Sequence, residues 1–278
     1  MNSAKAFAPA NISCIFGIYG HKNPRWMGSC GIGFTINEGV VVEVSNAAKS
    51  EIFFNNKKIN FPTVESAAKK LAKKNLKIKI KSKLPLGCGF GLSGASALAT
   101  AYAINKLLNL NKSKKQLGII AHTAEVENKT GLGDVVNQLY GGFCLKSKPS
   151  SHFIVEKIPL DGAEVYCSHF SGISTKSVIA NADLKEKINN AADKSLIKIK
   201  NLLKNKKEIS FRDIIKISKE FAERSGLLKD RKTLETIKNI EKNNGNASMI
   251  MLGNAVFSDK HFEGAAKFKI SGVGAHLL

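Results

Sequence analysis

The sequence predicts an α+β fold, because strand-like and helix-like segments follow one another along the chain in an uneven order. Leu76, Ile78 and Ile80 alternate with lysines, which is the period of two expected of a strand. From Ala97 to Leu108, apolar residues recur at the spacing of a helix. The region 183–243 is rich in Lys, Ile and Leu at helical spacing and predicts two or three more helices.

The other elements are assigned from the same two periods. Strands are predicted near residues 4–8, 31–36, 40–45, 50–54, 76–82, 141–146, 152–158, 163–168 and 266–270. Helices are predicted near residues 63–74, 94–108 and 113–128, and a helix or a loop near 247–256. The strands near 141–146 and 152–158 are expected to pair with each other.

The composition is that of a globular protein with a sizeable core, since 43% of the 278 residues are hydrophobic and 23% are charged. No apolar run reaches the roughly 18 residues of a membrane span, and no signal peptide is predicted. The cysteines are odd in number and lack a C-x-x-C pair, which indicates free thiols and a cytoplasmic protein. They are Cys14, Cys30, Cys88, Cys144 and Cys167. The histidines form no zinc-binding pattern.

A formal net charge of +21 raises the possibility of nucleic-acid binding. The lysines are scattered over segments such as 69–83, 112–115, 185–207 and 216–242, however, and no clustered aromatic residues accompany them. A solvated, lysine-rich surface is therefore the preferred interpretation, and a nucleic-acid partner is not expected. A non-enzymatic, RNA-associated protein remains a less favoured alternative. A positive field would also attract anionic small molecules.

The most informative segment is the glycine-rich loop 85–95, PLGCGFGLSGA, which lies between the predicted strand and the predicted helix. Glycine lets the backbone approach a ligand closely, and the unpaired N–H groups at a helix start favour an anion such as a phosphate. A purely structural glycine turn is the simpler alternative.

Three familiar phosphate loops do not fit this segment. A Walker A loop needs Lys directly after Gly, and no Gly in the chain is followed by Lys. Residues 89–94 match G-x-G-x-x-G, but no acidic residue occurs between Glu65 and Glu125 to hold a ribose. A protein-kinase loop would need later H-R-D and D-F-G motifs, and neither is present.

The loop resembles instead the phosphate loop of the GHMP kinases, a superfamily that phosphorylates small alcohols with ATP. The resemblance implies ATP and Mg²⁺ as cofactors and two lobes with the active site between them. It implies nucleotide binding by the loop residues Gly87, Cys88, Gly89, Phe90, Gly91, Leu92, Ser93, Gly94 and Ala95. The family motif ends in Ser-Ser-Ala, so Ser93 is the expected hydroxyl near the metal, and Ser96 is the second candidate.

A second segment, residues 124–136, supplies two carboxylates. A helix runs into a tight Gly-x-Gly turn that presents Asp134. Phosphoryl transfer needs a metal on the phosphates and a group that takes the acceptor's proton. Glu125 can be the oxygen ligand of Mg²⁺, and Asp134 can orient or deprotonate the acceptor hydroxyl. Asp134, Ser93 and Glu125 are thus the predicted catalytic residues, with Ser93 and Glu125 as metal ligands. A solvated helix face for Glu125 and a turn or a helix N-cap for Asp134 are the structural alternatives.

Within the superfamily, the segments 7–13, 28–40 and 130–142 resemble archaeal pantoate kinases, which make 4-phosphopantoate on the route to coenzyme A. The resemblance implies a small carboxylate substrate. Lys146, Arg25 and His21 are the expected cations for that carboxylate. The family tends to have Arg where this chain has Cys30 and Lys146. Homoserine or a mevalonate derivative is the alternative acceptor, and a homodimer is a further possibility.

The late glycine loop of the superfamily is expected at residues 269–275, although a frayed terminus fits that segment equally well. We expect an N-terminal ATP- and phosphate-binding lobe at residues 1–160 and a helix-rich C-terminal lobe at residues 161–278.

Overall fold

Two β-sheets, eight α-helices and one short 3-10 helix (Ser150–His152) make up the computed structural model, which describes residues 2–205 and 209–278. The predicted α+β class is confirmed. The strands are β1 (Ser3–Tyr19), β2 (Gly28–Asn46), β3 (Glu51–Phe54), β4 (Lys57–Lys58), β5 (Leu76–Lys81), β6 (Phe143–Lys146), β7 (Glu156–Ile158), β8 (Glu164–Gly172), β9 (Ala247–Met249), β10 (Gly253–Ser258), β11 (Ala266–Lys269) and β12 (His276–Leu277). The helices are α1 (Pro62–Lys69), α2 (Leu92–Leu107), α3 (Lys114–Glu127), α4 (Asp134–Tyr140), α5 (Thr175–Ala180), α6 (Ala182–Lys204), α7 (Phe211–Arg224) and α8 (Arg231–Lys242).

The larger sheet is built around the long antiparallel pair of β1 and β2. Its main strand order is β12-β1-β2-β5-β3-β4, with β6 also paired to β2 and β7 paired to β6. The strand β2 is long enough to pair with two partners, since its first half pairs with β6 and its second half with β5. The ladder between β1 and β2 shifts register between Pro9 and Asn11, and Asn11 and Ser13 lie on the stretch beyond that shift.

The smaller sheet is antiparallel, with the strand order β11-β8-β10-β9. In its central pair, Gly253 at the start of β10 is opposite Gly172 at the end of β8. Both glycines therefore lie at one end of this sheet.

Phenylalanines join the two sheets in a common core. Phe34 on β2 stacks on Phe143 of β6 at 5.0 Å between ring centroids. The same ring meets Phe211 of α7 edge-on at 5.5 Å and Phe257 of β10 at 5.7 Å. Buried aromatic rings contribute large apolar areas, so this cluster stabilises the contact between the two sheets. The division of the chain into lobes at residue 160 stays a prediction.

Several predicted elements have different bounds in the structure. The strand expected near 4–8 extends to Tyr19, and the strands near 31–36 and 40–45 are one continuous β2. Asn37 and Glu38 look like a turn in the sequence, but the backbone stays extended through them. The helix near 63–74 ends at Lys69. The pairing of β6 with β7 is confirmed.

Two predictions near the C-terminal end are wrong. The helix or loop near 247–256 is a hairpin of β9 and β10, two strands too short to show a clear period in the sequence. The terminal segment is not frayed, because β12 pairs with β1 and Gly142 N–H donates to the carbonyl of Ser271 at 2.6 Å.

Among the described residues, no helix is long and apolar enough to cross a membrane.

Candidate active site

A cleft of about 810 Å³, its open mouth included, lies where the glycine-rich loop meets β1, the turn before α4 and the smaller sheet. It is lined by Ser13, Phe16, Ser29, Gly87, Gly89, Phe90, Gly91, Leu92, Ser93, Thr130, Gly131, Leu132, Gly133, Asp134, Ile173, Thr175, Val178, Ile179, Met251 and Leu252. Asp134 is the one ionisable side chain among these described lining residues. The cleft thus combines backbone donors, hydroxyl groups, one carboxylate and an apolar wall.

The glycine-rich loop forms one side of the cleft and ends at the first turn of α2. Gly91 is the N-cap, with a left-handed φ of 62°, and no side chain caps the helix start. The first N–H groups of α2 are therefore available to an anion. Phe90 O accepts a hydrogen bond from Asn11 N–H at 3.0 Å, which fixes the loop against β1. Six of the nine predicted nucleotide-binding residues line the cleft, whereas Cys88, Gly94 and Ala95 are buried behind it.

The loop packs against two glycines of the smaller sheet, Gly172 and Gly253. A Cβ added to Gly172 would collide with the carbonyl oxygen of Gly87, and one added to Gly253 would collide with that of Cys88. The turn between β9 and β10 also contacts the loop, since a Cβ on Gly89 would lie 3.0 Å from the Met251 carbonyl oxygen. The superfamily's late glycine loop was expected at residues 269–275, but none of those residues lines the cleft; the segment packs instead against Gly141 and Gly142.

Asp134 is the first residue of α4 and points into the cleft opposite the loop. Its Oδ1 accepts hydrogen bonds from Asn11 Nδ2 at 2.7 Å and from Ser13 Oγ at 3.1 Å. Its Oδ2 faces Gly91, since a Cβ added there would lie 3.2 Å away. The two donors orient the carboxylate and leave Oδ2 directed at the start of α2.

Burial raises the pKa of Asp134, while the positive charge of Lys146 and the hydrogen bonds from Ser13 and Asn11 act in the opposite direction. A carboxylate whose pKa is subject to these opposing influences is suited to accept a proton from a nearby hydroxyl.

Glu125 is fully buried in α3, with its carboxylate between two glycines. A Cβ added to Gly131 would lie 2.5 Å from its Oε1, and one added to Gly94 would lie 2.8 Å from its Oε2. Neither oxygen has a hydrogen-bond partner within the described part of the chain, and the Ser93 Oγ has none either. Burial, followed by repulsion from Asp134, raises the pKa of Glu125 well above its usual value. The solvated helix face considered for Glu125 is therefore wrong.

Unpartnered buried oxygens are costly unless a ligand satisfies them, and hard oxygen donors suit Mg²⁺. Ser93 and Glu125 consequently fit a magnesium ion bound at the start of α2. Ser96 is buried inside α2 and does not line the cleft.

Lys146 lies on β6 behind the turn that carries Asp134. It is buried, and its Nζ donates to the Gly133 carbonyl at 3.1 Å and to Asn137 Oδ1 at 3.2 Å. Asn137 Nδ2 in turn donates to Asn11 Oδ1 at 2.9 Å, and Asn11 donates to Asp134. A chain of hydrogen bonds thus connects Lys146 to the carboxylate. Desolvation lowers the pKa of Lys146.

The other predicted substrate cations lie on the connection between β1 and β2. His21 Nδ1 accepts a hydrogen bond from Asn23 N–H at 2.9 Å, and the Arg25 guanidinium lies 5.0 Å from the ring centroid of Trp26. Neither residue is among the cleft-lining residues, and Lys146 is not among them either. Cys30 is buried on β2, and burial raises the pKa of its thiol. The substrate-binding roles of Lys146, Arg25 and His21 stay predictions.

Sequence reasoning did not identify several residues of the cleft. Ser13 and Asn11 were part of a recognised opening segment, but nothing in the sequence assigned them to Asp134. The residues of α5 and of the turn after β9 carried no signal, because apolar side chains in short elements look like core residues.

Comparison with known proteins agrees with this geometry. Residues 62–142 match the family model of the GHMP kinases N terminal domain. The chain is 37% identical to the pantoate kinase of Methanocaldococcus jannaschii, with 90% of each chain covered. It is 31% identical to that of Methanospirillum hungatei, with 91% of this chain and 86% of the relative covered.

A solved structure described as a phosphotransferase related to the CoA biosynthesis pathway has the same fold, with a TM-score of 0.84 over 99% of this chain and 98% of its own, at 24% identity. The chain therefore belongs to the pantoate kinase family of the GHMP kinases, and it is a small-molecule kinase that uses ATP.

Proposed function

We propose that this protein transfers the γ-phosphoryl group of ATP to the terminal hydroxyl of pantoate, giving 4-phosphopantoate and ADP. The observation that carries the proposal is the position of Asp134, whose free Oδ2 faces the loop at the start of α2. An acceptor hydroxyl at this oxygen would lie beside a phosphate held by the loop. The identity of 37% to a pantoate kinase supports the choice of acceptor.

The proposed reaction needs little covalent chemistry from the protein. The acceptor oxygen forms a bond to the γ-phosphorus, the bond to the bridging oxygen of ADP breaks, and Asp134 takes the hydroxyl proton. N–H groups of the loop and of the first turn of α2 stabilise charge on the phosphates. Ser93 and Glu125 would hold Mg²⁺, which supplies positive charge to the phosphate oxygens when bound.

Hydroxyl and backbone groups of the cleft are the nearest candidates for the carboxylate of pantoate. Ser13, Ser29 and Thr175 line the cleft, together with the turn that precedes Asp134. Lys146 is proposed to contribute its positive charge from behind that turn, since it is buried and bonded to Gly133 and Asn137.

The proposal is tested by ADP release from the purified chain with pantoate, homoserine and mevalonate as separate acceptors. We expect turnover with pantoate, and a product whose phosphate is on the terminal hydroxyl by phosphorus NMR. Turnover with homoserine or mevalonate and not with pantoate would assign a different acceptor. No turnover with any acceptor, together with salt-sensitive RNA binding, would favour the RNA-associated alternative.

A further inference from the structure

Part of the cleft lining is an apolar wall. It consists of Phe16, Ile173, Val178, Ile179, Met251 and Leu252. These side chains come from β1, from α5 and the position two residues before it, and from the turn between β9 and β10. In a chain with 43 lysines and arginines, a contiguous wall without any charged group is a specific feature of this site.

The wall begins beside the carboxylate. Ser13, which donates to Asp134 at 3.1 Å, also accepts a hydrogen bond through its carbonyl oxygen from Met251 N–H at 3.3 Å. Phe16 is three residues further along the same strand. A substrate hydroxyl at Asp134 therefore brings the carbon atoms attached to it within reach of Met251 and Phe16.

Half of the wall, namely Phe16, Val178 and Met251, is buried in the core behind it. The ring of Phe16 packs edge-on against Phe221 of α7 at 5.7 Å between centroids. Val178 and Met251 are 4% and 2% exposed, respectively. A preformed apolar surface gains free energy from a ligand that fills it and loses that gain when the ligand is smaller.

We infer that this wall makes the enzyme selective for acceptors whose hydroxymethyl group is attached to a carbon carrying two methyl groups. The inference rests on the proposed function, since pantoate is such an acceptor. The hydroxyl is bound at Asp134, and the two methyl groups contact the wall. One methylene-sized group in an apolar enzyme pocket is worth about 10- to 200-fold in kcat/KM. Two methyl groups therefore imply a preference of about 100-fold or more over the unmethylated analogue.

The first test compares two acceptors with the unaltered enzyme. The kcat/KM for pantoate is measured against that for 2,4-dihydroxybutanoate, which keeps both hydroxyls and the carboxylate and lacks the two methyl groups. We expect a ratio of about 100 or more. Equal values for the two acceptors would overturn the inference and leave the proposed function intact. Turnover of neither acceptor would contradict the proposed function itself.

The second test assigns the preference to the wall. Val178→Thr keeps the side-chain shape and replaces a methyl by a hydroxyl, whereas Ile179→Thr replaces the ethyl branch of a half-buried neighbour by a hydroxyl and also shortens the side chain. We expect each substitution to lower the pantoate preference about 10-fold, through a loss with pantoate, at an unchanged KM for ATP. Ile197→Thr on the exposed side of α6 is the matched control, since Ile197 is 58% exposed.

Two results would contradict this assignment. One is a wild-type acceptor ratio in both wall variants. The other is an equal loss with both acceptors, which would indicate a structural role of the two side chains. Because α5 has only six residues, the melting temperature of each variant is measured alongside the kinetics.

Discussion

The two sides of the cleft are built in different ways. The proposed phosphate side is one contiguous segment, residues 87–93, whose backbone N–H groups would bind phosphate at the start of α2. The acceptor side is assembled from β1, the turn before Asp134, α5 and the turn after β9, which are far apart in the sequence. We propose that it acts mainly through side chains.

This difference separates two kinds of recognition. Phosphate groups are common to all nucleotides, and backbone N–H groups can bind them whatever side chains surround the loop. The acceptor must be distinguished from similar small molecules, which requires side chains of particular shape and polarity. Substitutions on the phosphate side should therefore affect ATP binding, and those on the acceptor side should affect the reaction of the bound acceptor.

The largest effect is expected for Gly91→Val on the phosphate side. A β-branched residue is strained at the φ of 62°, and its Cβ would lie 3.0 Å from Gln138 Nε2 and 3.2 Å from Asp134 Oδ2. We expect ATP binding, measured by isothermal titration calorimetry, to fall below detection. Gly264→Val is the control, since Gly264 has a φ of 74° but open space around it. Normal ATP affinity of Gly91→Val would show that the loop is only structural.

Asp134→Asn should affect catalysis without affecting ATP binding. The amide keeps the shape of the carboxylate but cannot take the acceptor's proton, so we expect kcat to fall about 100-fold or more. The affinity for ATP should stay near that of the wild type. A parallel loss of ATP affinity would mean that Asp134 belongs to the phosphate side.

Lys146→Met tests whether the buried lysine acts through Asp134. Removing its charge should raise the pKa of Asp134, because that charge opposes the effect of burial. The carboxylate must be ionised to take a proton, so the acidic limb of the kcat profile should move to higher pH, by about one unit. Glu125 is the other ionisable group coupled to Asp134, and it is unchanged in this variant.

Lys157→Met is the matched control, because Lys157 also donates to a backbone carbonyl, that of Tyr140 at 2.9 Å. An unchanged pH profile with a large increase in KM for pantoate alone would instead assign Lys146 directly to the substrate carboxylate.

The smallest effect is expected on the stability of the ligand-free protein. Glu125 has a raised pKa when folded, so the folded state holds a proton that the unfolded state releases above the ordinary pKa of 4.5. Its contribution to the free energy of unfolding is therefore present at low pH and is lost as the pH rises towards the folded pKa. Gln does not titrate, so Glu125→Gln should not lose stability as the pH rises. The free energy of unfolding of this variant should exceed that of the wild type near pH 8 by about 1 kcal/mol.

Denaturant unfolding at about pH 5 and about pH 8 measures this difference. Glu127→Gln is the control two residues along the same helix, where the carboxylate is exposed and paired with Lys70 at 2.8 Å. The same pH dependence in Glu125→Gln and the wild type would contradict a protonated Glu125. In the kinase assay, Glu125→Gln should raise the Mg²⁺ concentration needed for the half-maximal rate.

The phosphate side could be predicted from the sequence because its signals are local. Glycines 87, 89 and 91 stand together before an apolar helix, and this arrangement predicts both the turn and the start of α2. The location of Glu125 and Asp134 beside the loop could be predicted for a similar reason, since a helix and a glycine turn join them within ten residues.

The acceptor side could not be predicted, because tertiary contacts create it. The backbone contact of Ser13 with Met251 and the burial of Lys146 behind Gly133 depend on the packing of the two sheets. The seven-residue helix α4 was missed because it follows a glycine turn directly and is too short to show a helical period. Lys146 was expected to bind the substrate carboxylate, whereas here it is buried, and Asn137 and Gly133 accept its hydrogen bonds.

The opposed glycines of the smaller sheet have a consequence for protein engineering. Gly172 and Gly253 lie more than seventy residues beyond the loop that they support, and a methyl group at either position would displace carbonyl groups of the loop. The loop sequence is contiguous, but by itself it does not determine the conformation of the loop. A chimera that receives residues 85–95 alone would have the motif but lack the two glycines against which the loop packs. A chimera that also receives Gly172 and Gly253 would keep the backbone geometry of the loop.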